Sequence, residues 1–407
     1  MYQWFPDGEM NMCYNCLDRH VRNGKGNKEA LHAYSAYTGA EQTFTYSQLL
    51  EKVGKMASML KHRFGLGAGD RVIIYMPMVP VAAFAMLACA RIGAIHSVVF
   101  GGYAAKELAS RFDDLQPKLI ITCSAGIEPK KSLMYAPIID EALRLTQKIK
   151  NPEKFPRLIY QRPDANGKYI DHSLYSRSDV YIDYEQVMSS RNWEIAECAS
   201  LPTSHPCFIL YTSGTTGTPK GIVRDAAGTA LGQTYFLKNV LDLQEGEAIF
   251  AMSDIGWIVG HSMIVYGPQV RGARAVMFEG KPMVPDAGIM WKIIEKYRVS
   301  AIFTSPTAVR LLKKLDYEGK FIKARNTSSL RCIAIAGEKC DQGTIHWLKS
   351  FFPNAMLSDH FGQTETVNAV AGNMFNLKKF KTIFPMKAGS VTKPIPGNNI
   401  FVFDESN

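Results

Sequence analysis

The sequence predicts an α/β fold built on two doubly wound, mainly parallel sheets. Two observations carry that expectation. Short continuous apolar runs alternate with helical segments, and strands apolar on both faces belong to parallel sheets covered by helices. The alternation also occurs twice, on either side of a polar, aperiodic stretch at residues 161–204. A length of 407 residues allows roughly two or three domains.

The elements are expected in this order. Residues 1–40 read as an irregular lead-in with a short helix near Tyr14–Val21. Thr43–Ser47 is strand-like, and Ser47 can cap a helix running to about Leu60. Strands follow at Arg71–Met76, His96–Phe100, Lys118–Thr122 and Arg157–Tyr160, with helices at Val81–Ile92, Ala105–Phe112 and Pro137–Ile149. After the 161–204 excursion come strands at Cys207–Tyr211, Ala248–Met252, Ala275–Phe278, Ala301–Thr304, Cys332–Ala336 and Ala355–Ser358. Helices fall near Ser262–Val270, Gly288–Tyr297, Thr307–Leu315 and Gly343–Phe351. A Gly/Pro-rich stretch, Gly389–Gly397, leads into a strand at Ile400–Phe403 with nothing after it to pair. The expected divisions are subdomains at about 1–200 and 201–385, then the start of a small β subdomain at about 386–407.

Composition narrows the function classes. A hydrophobic content of 46% with 21% charged residues describes an ordinary globular protein. The net charge of +10 suits anionic small molecules. It does not indicate nucleic acid, because the basic residues are dispersed and the densest run (Lys378, Lys379, Lys381) is short. Eight cysteines are scattered, and Cys13-x-x-Cys16 with His20 lacks a second ligand pair at zinc spacing. These thiols are expected to be reduced and structural. Residues 72–100 are apolar but interrupted by Pro77, Pro80 and Arg91, so no membrane partner is expected. The opening residues lack a basic secretory n-region, which points to the cytoplasm or the mitochondrial matrix.

Three stretches carry chemistry. Tyr211–Gly221 follows a buried strand and contains no aliphatic residue. Its glycines let a ligand approach the backbone, and successive N–H groups in such a loop form an anion nest. With its hydroxyls and Lys220, the expected guest is a polyphosphate; a flexible surface loop is the plainer reading. It is not a Walker A loop, since Lys220 is followed by Gly221. Asp359–Thr366 is expected to follow a strand, with Glu365 as a magnesium ligand or as an acidic residue favoured at a helix N-terminus. Ala336–Lys339, read alone, is a βα turn.

The Tyr211–Gly221 string resembles the phosphate-binding signature of the AMP-forming acyl-activating superfamily, and the other two stretches follow in that family's order. The resemblance covers nearly the whole chain. Tyr14–His20, Val99–Gly102, Ser253–Trp257, Gly260–Ser262, Tyr266–Pro268, Met277–Gly280 and Ser305–Arg310 are similar to the acetyl- and propionyl-CoA synthetase branch, nearest its propionyl-CoA synthetase-like group.

The resemblance implies an αβαβα stack, ATP, Mg²⁺ and coenzyme A as cofactors, and a small carboxylate as substrate. It implies that Thr212, Ser213, Gly214, Thr215, Thr216, Gly217 and Lys220 hold the β and γ phosphates. Gly337, Glu338 and Lys339 would flank adenine, Asp359, His360, Phe361, Gly362 and Gln363 would line the adenosine, and Thr364 would contact the α-phosphate. Glu365 would bind Mg²⁺; Lys220, Thr364 and Glu365 would be the catalytic set. Trp257, Ile258, Val259, Ala336 and Gly362 would surround the acyl chain, and Phe100, Gly101, Gly102 and Lys131 would receive coenzyme A. Lys339 and Glu128 depart from the family's usual proline and arginine. Gly362 stands where acetate-selective members have a tryptophan wall, which implies propionate or a longer acid. His261 is read as packing rather than as a base. The family's C-terminal lid is absent from these 407 residues, so ATP or acyl-adenylate binding with poor turnover is expected. A carrier-protein-loading adenylation domain and a lidless nucleotide-binding scaffold are the competing readings.

Overall fold

A computed structural model of the chain describes residues 4–129, 131–163, 168–169, 180–212, 219–374 and 387–404. Two large sheets organise it. The first has seven strands in the spatial order Tyr181–Asp183, Arg157–Tyr160, Leu119–Cys123, Arg71–Met76, Ile95–Phe100, Pro206–Thr212, Lys220–Asp225. All neighbours are parallel except the last pair, which is antiparallel. The second has eight strands, in the order Ala369–Ala371, Met356–Gly362, Cys332–Ala336, Val299–Thr304, Ala248–Ala251, Arg274–Glu279, Glu29–Ser35, Glu41–Thr45. Its six central strands are parallel and both edges are antiparallel.

The two sheets do not divide at residue 200. Glu29–Ser35, expected within an irregular lead-in, pairs with Arg274–Glu279 in the second sheet. Pro206–Asp225 instead closes the first sheet through Phe208 and His96.

Helix Pro80–Ile92 explains the apolar run at 72–100. It starts with proline at its first position, ends at Gly93 in the left-handed region, and is buried from Val81 through Ile92. A helix buried all round belongs in a core. The longest described helix, Tyr46–Phe64, begins two residues earlier than expected. Thr45 is its cap, accepting from the Gln48 N–H, while the Gln48 side chain accepts from the Thr45 N–H. Ser47 is therefore inside the helix.

Other differences follow from context. Part of the 161–204 excursion is ordered structure: Tyr181–Asp183 is a strand and Tyr184–Ser189 a helix. Arg162 is buried there and forks onto Glu279 with contacts of 2.6 and 2.9 Å. Ser35 Oγ donates to the same carboxylate at 2.7 Å. This bidentate pair ties the residues just past the first-sheet strand Arg157–Tyr160 to the end of a second-sheet strand. Strand Lys220–Asp225 and helix Ala226–Tyr235 were not anticipated. The strand expected at Ile400–Phe403 does not form; those residues are exposed, and among the described tail residues only an Ala371–Pro394 bridge pairs. The basic run at 378–381 lies outside the described residues.

Candidate active site

The carboxyl ends of the second sheet's parallel strands open onto a cavity of about 690 Å³. Such strand ends are where α/β sheets bind ligands. Three strands deliver Phe303, Ala336 and Gly362 to it. The first sheet contributes Thr212 and Lys220, directly opposite each other across the antiparallel pair. Between them, Ser213, Gly214, Thr215, Thr216 and Gly217 lie outside the described residues. The helical stretch after Trp257 adds Ile258, Val259, Ser262 and Met263. One wall is thus apolar and the other carries hydroxyls and charge.

Gln363, Thr364 and Glu365 complete the polar wall. They sit at the exit of strand Met356–Gly362, in a short turn at Thr364–Thr366 whose Thr366 hydroxyl accepts from the Gln363 N–H. Asp359 to Gly362 were expected to follow a strand; they form its second half. The consequence is burial. Asp359 and His360 are each 2% exposed and line neither cavity. Burial raises the Asp359 carboxyl and lowers His360 to about 4, so the imidazole is neutral. Phe361 is exposed and outside the cavity. Gly337 lines it, with a left-handed φ of 104°. Glu338 and Lys339 do not line it; Glu338 accepts from the Thr307 N–H at 2.9 Å and pairs with Arg310 at 3.2 Å.

Gly362 has a second constraint. A Cβ there would lie 2.8 Å from Ala369 Cα and 2.9 Å from the Asn368 carbonyl. Glycine is required for the close approach of strand Ala369–Ala371, whatever the ligand.

A second cavity, of about 490 Å³, adjoins the first at Trp257, which lines both. Phe100, Gly101 and Gly102 line it from the end of a first-sheet strand. Phe100 packs on Trp257 with ring centroids 6.0 Å apart. Lys131 is not in its lining; it stands on the hairpin Ala125–Met134, opposite Glu128, which is. Glu128 also reaches Lys281 at 3.7 Å. His261 is fully buried, 4.6 Å from the Phe208 ring by centroids, and burial lowers it to about 4. It packs between the sheets.

A family model described as AMP-binding enzyme matches residues 17–407. The chain belongs to the AMP-binding enzyme family. It is 42% identical over 405 residues to a Bos taurus protein named acyl-CoA synthetase short-chain family member 3, mitochondrial, covering 99% of this chain and 56% of that one. It is 40% identical over 408 residues to an acetyl-coenzyme A synthetase of Wolinella succinogenes, covering 99% of this chain and 59% of that one. The chain therefore spans somewhat more than half the length of these family members. The solved structure of an acetoacetyl-CoA synthetase from Streptomyces lividans aligns with a TM-score of 0.79 at 23% identity, covering 91% of this chain and 54% of that one. That likeness establishes the shared α/β fold. Among the described residues no helix is long and apolar enough to cross a membrane.

Two residues of this AMP-binding chain escaped the sequence reading. Arg224 donates to the Thr364 carbonyl at 2.6 Å and holds the turn that presents Glu365. Its signal was the strand's period of two, which puts Arg224 on the face of Lys220. Asp254 lines the second cavity and accepts from the Gly256 N–H at 2.7 Å. Burial pushes its carboxyl up to about 6. A Cβ on Gly256 would lie 2.9 Å from Phe100 Cα, so glycine lets this turn close against the cavity wall.

Proposed function

We propose that the chain is the adenylating part of an AMP-forming acyl-CoA synthetase for short-chain carboxylates, with propionate or a slightly longer acid favoured over acetate. One observation carries the reading: a single cavity joins Thr212, Lys220, Thr364 and Glu365 to the apolar Ile258, Val259 and Ala336. Its volume is within the usual range for small-ligand sites. In this reading a triphosphate lies against the polar wall and a short acyl group against the apolar one.

In this reading a carboxylate oxygen attacks the α-phosphorus of ATP, and the bond to pyrophosphate breaks. The sulfur of coenzyme A then attacks the acyl carbon, and AMP leaves with the electron pair of the mixed anhydride. Neither step needs a nucleophilic side chain, so catalysis is positioning and charge stabilisation. Lys220 neutralises the outer phosphates, Thr364 donates to the α-phosphate, and Arg224 fixes the Thr364 turn. Ile258, Val259 and Ala336 keep water from the acyl group. The second cavity, with Phe100, Gly101 and Gly102, admits the thiol arm, and Trp257 marks where it meets the acyl carbon.

Glu365 is an exposed carboxylate that lines the same cavity as Thr212 and Thr364. Hard oxygen donors of this kind suit Mg²⁺, with phosphate oxygens and water completing the shell. Glu365 would hold the ion, which when bound offsets the triphosphate charge.

The test is AMP release across acids from acetate to hexanoate, with and without coenzyme A. The expected result is AMP, not ADP, with thioester formed only when coenzyme A is present and propionate faster than acetate. ADP as product would overturn the reaction class, and acetate as the fastest acid would overturn the chain-length preference alone.

A further inference from the structure

Cys13 and Cys16, adjacent in the sequence motif, are not partners in the fold. Cys16 Sγ faces the Tyr266 carbonyl at 3.8 Å, and His20 Nε2 is 2.7 Å from the Gln269 carbonyl. Cys13 meets Cys198 instead, from the segment that joins the two halves of the chain. The sulfurs of Cys13 and Cys198 and a carboxylate oxygen of Asp18 lie within 4.8 Å of one another.

Two thiols and a carboxylate resemble a cation site, but Arg91 argues against that. Its guanidinium forks onto Asp18 at 2.7 and 2.9 Å, and Nη1 lies 3.5 Å from Cys13 Sγ. Arg91 is 1% exposed and cannot swing away into water. The carboxylate is already neutralised, and a metal cation would face a fixed positive charge. The same charge favours a thiolate.

We propose that Cys13 and Cys198 are a reactive dithiol that closes to an intramolecular disulfide when a hydroperoxide reaches it. Cys13 is the nucleophile and Cys198, the more exposed of the two, resolves the product. The Cys13 thiolate attacks one peroxide oxygen and the O–O bond breaks, giving a sulfenic acid and, after protonation, water. The Cys198 sulfur then attacks the Cys13 sulfur, the S–O bond breaks, and a second water leaves. Two thiols lose two electrons and two protons, and hydrogen peroxide becomes two waters. The two sulfurs lie within 4.8 Å of each other, and closing the bond requires Cα atoms no farther apart than about 7 Å.

The electrostatics around Cys13 support these roles. Burial pushes its thiol up, but the Cys198 hydrogen bond and the Arg91 charge outweigh burial and hold it below the usual thiol range; Asp18 opposes them. The buried thiols of Cys16 and Cys207 also face it. Cys198 is raised, first by its hydrogen bond to Cys13 and then by burial. The pair is local to the N-terminal segment, helix Pro80–Ile92 and the 196–199 connection. Asn11 Nδ2 stitches these together through the carbonyls of Ala90, Arg91 and Ala199. A disulfide here would fix that junction covalently.

The experiment treats the native 407-residue chain with limited hydrogen peroxide, alkylates it, and maps peptides without reduction. The expected outcome is one dominant cross-link, Cys13 to Cys198, removed by dithiothreitol. In Cys198→Ser the cross-link is lost and Cys13 proceeds to sulfinic acid. The oxidation rate of the unmodified chain should fall less between pH 8.5 and 7 than that of an ordinary thiol, which loses roughly tenfold of its thiolate there. Three outcomes would overturn the proposal: a dominant Cys13–Cys16 link, no link with both sulfurs alkylated, or an ordinary thiol pH profile.

Discussion

The two cavities share Trp257 but differ in the origin of their charge. The first displays Lys220 and Glu365, both exposed, on a wall facing apolar side chains. Its electrostatics are incomplete until a highly charged ligand supplies the counter-charge. In the second, buried Glu279 is neutralised by Arg162, and burial disfavours the Asp254 charge, pushing its carboxyl up to about 6. A cavity that disfavours added charge suits a long, weakly charged arm, because little must be desolvated on entry. The difference separates the proposed steps in space, with charge handled on one side of Trp257 and a neutral thiol admitted from the other.

Removing the first cavity's cation tests that division most strongly. Lys220→Met should weaken ATP binding by roughly 10- to 100-fold, the range for a lost hydrogen bond to a charged group. Coenzyme A affinity should change less than twofold. Titration calorimetry with each ligand reads both. Equal losses for the two ligands would mean that the cavities are one electrostatic unit.

The apolar wall of the first cavity sets a smaller effect. Ala336→Val narrows it by two methyl groups and should shift the propionate-to-acetate ratio towards acetate by roughly tenfold, as expected of methylene-scale discrimination. Competitive carboxylate-dependent pyrophosphate exchange measures the ratio; no shift would move the acyl site off this wall. Gly362 is a poorer place to build a barrier. Its Cβ direction points at the backbone of Asn368 and Ala369, so Gly362→Ala should cost about 1–3 kcal/mol of stability through overpacking. A tryptophan at 362 tests the strand contact before it tests selectivity.

The fold's parallel strands were legible because burial on both faces leaves a run of apolar residues, as in Arg71–Met76 and Val299–Thr304. Glu29–Ser35 was not, since Glu-Ala-Leu-His-Ala-Tyr-Ser has little β propensity. Pairing with Arg274–Glu279, far along the chain, overrides it. Ile400–Phe403 shows the reverse: its residues favour strands, but among the described residues it has no partner strand. At the site, Lys220, Thr364 and Glu365 were legible by motif and share one cavity. Asp359 and His360 belong to the same motif yet are buried within the strand, because local sequence does not reveal where a strand ends. Arg162 with Glu279, and Cys13 with Cys198, were invisible because each pair meets only when distant segments fold together.

Asp254 gives the finest test of the contrast between the cavities. Its ordinary value is about 3.9, and burial raises it in the folded state to about 6. Between those values the folded chain binds more protons than the unfolded chain, so this group's contribution to stability falls as pH rises through that window. Above pH 6 the buried charge is a standing cost, which Asp254→Asn removes. The variant should therefore be more stable than the parent at pH 7.5, by about 1 kcal/mol after allowance for water in the cavity. The difference should shrink to near zero by pH 4, where the parent carboxyl is protonated. Buried His96, His261 and His360, all lowered by burial, destabilise both proteins alike on acidification and cancel in the comparison. Parallel urea melts at pH 4.5, 6 and 7.5 measure the difference profile. A flat profile would mean that Asp254 is hydrated, and that the second cavity is as open to charge as the first.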